Sequence, residues 1–288
     1  MKVIPFTIPV PKDKSIIIQE DRLPYFYNHL HRHHEIQITW IQQGEGTLLV
    51  GESMHHFQPG DVFVIGANQP HIFKSDASYF EKRNKKISQS VTIFFNENGD
   101  LEPLLKLPEL KLIRKWLEQF PAGCKLPQAS QTTIIKLIQS VGSSKGSLQI
   151  ARFIELLQVF ASNKGLSALS TLSQPLQFNE SEGARLNTIY QYTLEHFSES
   201  ISLNEVAAKA HLTVPAFCRY FKKRTRKTYV GFLNEIRISE ACKLLQQEPE
   251  SMVSIAFATG FSHISSFNRT FKQIMGISPR EFKNRSSI

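Results

Sequence analysis

Cysteine is scarce in this chain, and long apolar runs are missing altogether. Three cysteines in 288 residues, Cys124, Cys218 and Cys242, stand far apart, odd in number and without a Cys-x-x-Cys spacing. That argues against a disulfide framework and against a zinc ribbon. No stretch approaches 18 uninterrupted apolar residues, so neither a membrane-spanning helix nor a membrane partner is expected. The first residues place Pro5 and Pro9 where a signal peptide needs an apolar core, so no leader is expected and the chain reads as cytoplasmic. Acidic charge is also in deficit: 34 Lys and Arg stand against 25 Asp and Glu, a formal net charge of +9. An anionic partner suits that balance, although charge governs association and not fold. The excess is spread over the chain, with net +5 over residues 180–288 and net +4 over residues 1–179.

Phenylalanine, by contrast, is abundant. With 21 Phe and 41% apolar residues the chain can bury sizeable cores, and its length suits two domains. Residues 1–100 read as β structure. Short β-branched and aromatic runs such as Ile36–Ile41, Thr47–Val50, Val62–Ile65 and Val91–Phe95 are separated by turn signals at Gly44-Glu45-Gly46, Pro59-Gly60-Asp61 and Gly66–Pro70. This spacing predicts a small antiparallel barrel or sandwich, with Lys82-Arg83-Asn84-Lys85-Lys86 at a solvated hairpin tip. From Leu101 the period turns helical, and three amphipathic stretches follow up to residue 163. Residues 164–183, rich in Ser, Asn, Gln and Gly, read as a linker. Residues 184–288 are helical throughout, which makes the fold class α+β with two domains.

One hexapeptide occurs twice in that helical part. Phe217-Cys218-Arg219-Tyr220-Phe221-Lys222 returns as Phe267-Asn268-Arg269-Thr270-Phe271-Lys272. The two Phe of each copy, four apart, share a buried helix face and the Arg turns outward. Each copy follows a short helix and a tight turn, with Ala207 or Ala256 in the short helix and His211 or Gly260 at the turn. Capping boxes begin at Ser202 and Ser278, Thr213 and Ser262 can cap the repeated helices, and a helix over about Thr228–Gln246 joins the copies. At ~1.5 Å per residue that connector spans about 28 Å.

From Ile201 to Phe282 the residues closely resemble the AraC/XylS family of bacterial transcription regulators. Both helix-turn-helix units, the connecting helix and the ending Gly260-Phe261-Ser262 … Gly276-Ile277-Ser278-Pro279 carry the match. The resemblance implies two recognition helices in adjacent major grooves of promoter DNA, about one ~34 Å turn apart. It implies base-facing roles for Val214, Pro215, Cys218 and Arg219, and for Ile264, Ser265, Asn268 and Arg269, with Lys222 and Lys223 on phosphates. A homodimer, and RNA polymerase as a further partner, belong to the same expectation.

The N-terminal half resembles the cupin-like sensor domain found upstream in this family, through His31-Arg32-His33-His34-Glu35, Gly44-Glu45-Gly46, Pro59-Gly60-Asp61 and Pro70-His71. Strand alternation places His31, His33, Glu35, Gln37 and Thr39 on one face. His31, His33 and His71 match the histidines of a metal cupin, but Gln37 stands where its carboxylate belongs. No metal or other cofactor is therefore expected. The resemblance implies instead a small polar effector, sugar-like, held by His31, His33, Glu35, Gln37 and His71 with Trp40 nearby. The competing reading, a metal-dependent cupin enzyme with an accessory helical domain, is disfavoured by Gln37, and the chain is not expected to be an enzyme.

Overall fold

The run Ile36-Gln37-Ile38-Thr39-Trp40-Ile41 alternates between two environments, and the N-terminal fold is built around it. In a computed structural model describing residues 6–10, 14–81, 85–170, 178–247 and 251–286, this run lies in strand β2 (Ile36–Gln43). Its Cα partners are on β7 (Ser88–Phe95) along one edge and β5 (Val62–Ile65) along the other. With β1 (Ile16–Leu23), β8 (Gly123–Lys125) and β9 (Ser167–Ala168) they form a sheet in the order β1-β7-β2-β5-β8-β9. A second sheet, β4-β3-β6, comprises β3 (Gly46–Val50), β4 (Ser53–Phe57) and β6 (His71–Ser75). The expected barrel is thus two antiparallel sheets and not a closed cylinder. A bulge between Ile41 and Gln43, followed by Gly44 at φ 115°, turns the chain out of the first sheet into the second.

Period-two alternation sorts the side chains. Ile36 and Ile38 of β2, Val62 and Val64 of β5, and Val91, Ile93 and Phe95 of β7 face one core. That core is closed by helices after the sheet: α1 (Glu102–Leu105), α2 (Lys111–Gln119), α3 (Gln131–Ser143) and α4 (Gly146–Ser162). Trp116 of α2 stacks on Phe160 of α4 with centroids 5.3 Å apart, and Phe153 of α4 meets Phe95 edge-on at 4.9 Å. The alternate residues Ile41, Phe63 and Ile65 join Leu48, Val50, Phe57 and Phe73 of the second sheet in an inner core. Aliphatic and aromatic side chains thus fill one end of the space between the sheets, and polar ones line another part of it.

Lys82, Arg83 and Asn84 of the expected hairpin tip lie outside the described residues; just beyond them, Lys86 pairs with Glu45 at 3.2 Å. The stretch expected to be a linker is partly structure. Ser167 and Ala168 pair with β8, the Leu169 amide donates to the Gly123 carbonyl at 3.0 Å, and the Leu169 side chain is fully buried. A single apolar plug in a Ser-rich stretch gives no periodicity to read. The chain divides into compact units at Gly183/Ala184, which falls inside α5 (Glu180–His196).

The second unit continues with α6 (Leu203–Lys209), α7 (Val214–Thr225), α8 (Tyr229–Gln247), α9 (Met252–Ala258), α10 (Ile264–Met275) and α11 (Pro279–Ser286). The Ser202 and Ser278 capping boxes form, each with reciprocal bonds to Glu205 or Glu281. The N-cap of α10 is His263 and not Ser262, and neither it nor Thr213 makes a side-chain cap bond. The connector α8 presents two faces. Its first half sets Tyr229 and Phe232 against Phe217 and Phe221, while Ile238, Ala241 and Leu245 serve a separate core with Phe267 and Phe271.

Candidate functional site

The two halves of the helical unit repeat bond for bond. In the first, the Leu212 amide donates to Ala207 O at 2.9 Å and the His211 amide to Ala208 O at 3.0 Å. In the second, Phe261 donates to Ala256 O and Gly260 to Phe257 O, both at 3.0 Å. The turn residues His211 and Gly260 take positive φ, 53° and 85°, and Ala207 and Ala256 are buried where the following helix crosses. These are two helix-turn-helix units. Counted from the N-caps Thr213 and His263, the following helices align without a gap, so Arg219 and Arg269 are equivalent. The extra residue of the second copy lies in its turn. Phe217, Phe221, Phe267 and Phe271 are all fully buried, as the four-residue spacing implies.

Pro215, Cys218, Arg219, Lys222 and Lys223 are exposed on α7, with Val214 half-buried; Ser265, Asn268 and Arg269 are exposed on α10, with Ile264 half-buried. Arg219 and Arg269 make no hydrogen bond or ion pair among the described residues, so both guanidinium groups are available to an incoming phosphate or guanine edge. Lys222, Lys223 and Arg224 occupy the last turn of α7, where cations also meet the negative end of the helix dipole.

In the first unit a cavity of about 340 Å³ opens between the sheets. The alternation of β2 turns Gln37 and Thr39 into it; β7 adds Ser90, Thr92 and Phe94, and β1 adds Gln19 and Asp21. His31, His33 and His71 stand together in its wall. His31 and His71 are joined by a two-way backbone bridge, His31 N to His71 O at 3.1 Å and His71 N to His31 O at 2.9 Å. Gln37 donates to Thr39 Oγ1 at 2.6 Å, and Thr39 shares a hydrogen bond with Thr92 at 3.1 Å. Burial lowers the pKa of all three histidines, which favours their neutral forms.

Two of the six expected effector residues sit elsewhere. Trp40 is on the opposite face of β2 and packs against the core under α2–α4. Glu35 is buried and offers the cluster its backbone carbonyl, which accepts from His33 Nδ1 at 2.9 Å, while its side chain is not part of the cavity wall. Sequence reading missed Gln19, Asp21, Ser90 and Thr92. The last two were legible in the polar alternation Ser88-x-Ser90-x-Thr92, whereas Gln19 and Asp21 become neighbours of Thr92 and Ser90 only through the β1–β7 register.

A segment near the N-terminus borders the same cavity. Ile8, Pro9 and Val10 line it, while the Thr7 amide donates to Glu180 in the first turn of α5 at 3.2 Å. Arg32 lies 4.0 Å from the same carboxylate, and Phe6 meets Phe178 edge-on at 5.9 Å. Bonds from Thr7 are the largest influence holding the Glu180 carboxyl below its usual pKa.

Comparison with known proteins falls on both units. Residues 206–285 match a family described as a helix-turn-helix domain, and residues 24–78 match a cupin domain. The chain is 24% identical over 282 residues to the HTH-type transcriptional activator RhaS of Escherichia fergusonii, covering 95% of this chain and 94% of that protein. It is also 24% identical over 273 residues to the HTH-type transcriptional regulator YdeC of Bacillus subtilis, covering 91% and 88%. Among solved structures, an AraC-type transcriptional regulator from Chromobacterium violaceum aligns with 38% of this chain and 96% of its own at 26% identity and a TM-score of 0.35. No helix among the described residues is long and apolar enough to cross a membrane. With two helix-turn-helix units following a cupin-type double sheet in sequence, the chain has the build of a ligand-responsive DNA-binding regulator and is similar over nearly its whole length to helix-turn-helix transcription regulators.

Proposed function

We propose that this regulator is a cytoplasmic transcription activator whose cavity takes a small, polar, sugar-like effector and whose occupancy sets how α7 and α10 engage adjacent major grooves. The observation that carries the effector reading is the polar wall inside an otherwise apolar sandwich. Gln19, Asp21, Thr39, Ser90 and Thr92 offer both donors and acceptors, and Phe26, Tyr27 and Phe94 give apolar faces for the C–H side of a sugar ring. The cavity volume falls in the range of small-ligand sites, roughly 300–1,000 Å³. Occupancy can reach α5 through the segment Phe6–Val10, which borders the cavity at one end and bonds Glu180 at the other.

On DNA, Arg269 beside Asn268 and Ser265 is suited to base edges, whereas Arg219 sits among apolar neighbours next to Lys222 and Lys223 and is suited to anchoring. The helices covering the sheet leave Leu148 and Ile150 of α4 exposed, which fits a homodimer, and an activator of this kind would meet RNA polymerase. A thermal-shift screen of the full chain against sugars, sugar acids and fatty acids tests the effector reading. Polar compounds should raise the melting temperature in the wild type and not in Thr92→Val. Stabilisation by fatty acids alone would sink the polar reading.

A further inference from the structure

The cavity between the sheets carries charge of one sign. Among the described residues that line it there is no Lys or Arg, and Asp21 is the single carboxylate. Asp21 stands half-buried on β1, opposite Ser90 of β7. The Gln19 amide donates to both of its oxygens, at 3.0 and 2.9 Å, which fixes the carboxylate without cancelling its charge. No cation pairs with Asp21 among the described residues. A partly buried charge without a counter-ion is unfavourable, and a cationic ligand relieves it.

The uncharged part of the wall points the same way. Its two side-chain amides are already engaged, Gln19 on Asp21 and Gln37 on Thr39 Oγ1. His71 Nδ1 lies 2.9 Å from the Gln69 carbonyl oxygen, and a carbonyl only accepts, so the ring proton is on Nδ1. Nε2 of the neutral ring is then an acceptor, and it is buried with no partner among the described residues. Buried polar atoms are rarely left in this condition without a reason. An anionic ligand would meet Asp21, the lone pair of His71 and no cation. A neutral polyol could donate a hydroxyl to His71 but would leave Asp21 without a counter-ion. A ligand with a positively charged N–H donor satisfies Asp21, and the faces of Phe26, Tyr27 and Phe94 in the same wall attract cations as well.

We propose that the effector is a hydroxylated amine, such as an amino sugar, whose ammonium group pairs with Asp21 while its hydroxyls serve Thr39, Thr92 and His71. This rests on the effector reading above and narrows it, since the wall rejects sugar acids, sugar phosphates and fatty acids. Asp21 attracts the amine and repels a carboxylate, so one residue supplies both sides of the selection.

The test is calorimetric titration of the full chain, in a chelating buffer, with three matched series. These are glucose, galactose and mannose; the corresponding 2-amino sugars; and glucuronate and galacturonate. At least one amino sugar should bind about 10- to 100-fold more tightly than its parent hexose, the span of a charge-assisted hydrogen bond. Its N-acetyl derivative, which keeps an N–H but not the charge, should fall back towards the parent. Asp21→Asn should bring the ratio of amino sugar to parent close to one, by weakening the first and sparing the second. Asp21→Lys should turn the preference towards the uronates; misfolding does not produce a gain. Glu20→Gln, on the opposite, exposed face of β1, should alter no affinity. A parent sugar or uronate that binds at least as tightly as every amino sugar overturns the amine and leaves the effector reading standing. So does a ratio that survives Asp21→Asn, or an affinity that survives N-acetylation. If no member of any series binds, the sugar-like effector itself is wrong and the amine falls with it.

Discussion

In α7 the residue between the first Phe and the Arg is Cys218; in α10 the equivalent is Asn268. The same exchange runs along the outward face, with Pro215 against Ser265 and Lys223 against Gln273, while the inward residues Phe217/Phe267 and Phe221/Phe271 are unchanged. Packing dictates the inward set: both pairs are fully buried against α8, and a change of even a few methylenes is felt there. Nothing in the fold dictates the outward set, so the two copies are free to take different work. The turns differ for a physical reason too. A Cβ on Gly260 would stand 2.6 Å from the Phe197 carbonyl oxygen and 3.0 Å from Arg237 Nε, because Arg237 ties the end of α5 to this turn by bonds to the Phe197 and Glu199 carbonyls. His211 is exposed and carries its side chain at the same left-handed conformation, a region His is among the residues to visit.

That contrast can be broken at several points. The largest effect is expected at Gly260→Ala, about 3 kcal/mol of destabilisation from combined backbone strain and the contact with Phe197 O. The thermal melt of the full chain reads it, and a shift no larger than that of a surface control would show the turn is not constrained. Next comes Arg269→Ala, which should cost about 1–3 kcal/mol on the preferred DNA site and little on random DNA. If Arg269 only anchors, both affinities fall together. Lys222→Ala and Lys223→Ala should each weaken all sequences alike and lower the salt slope of binding by about 1. The smallest effect is expected at His211→Gly, within about 0.5 kcal/mol, since the strain it relieves is offset by the freer unfolded chain. A loss comparable to Gly260→Ala would make the two turns equivalent after all.

Local patterns carried much of this architecture. The repeated hexapeptide, the capping boxes at Ser202 and Ser278, and the alternation in β2 and β7 are readable because each depends on residues a few places apart. Features that depend on distant partners were not. Gln19 and Asp21 enter the cavity only because β1 pairs with a strand about seventy residues later in the register Gln19↔Thr92 and Asp21↔Ser90. Leu169 is buried by its bond to Gly123 and by the inner core, neither of which its Ser-rich surroundings announce. Ile238 is core although it is off the face that carries Phe232 and Ile236, because α8 serves two cores in succession. At the candidate effector site the histidines were visible, but the backbone bridge between His31 and His71 that brings them together is not displayed by the sequence.

Selection from random DNA by the wild type, Arg219→Ala and Arg269→Ala tests the division of labour most directly. The wild type should enrich two blocks of preferred sequence about one helical turn apart. Arg269→Ala should erase the preference in one block, and Arg219→Ala should lower recovery while leaving both blocks readable. If both substitutions erase the same positions equally, or the wild type enriches no sequence at all, the account is wrong.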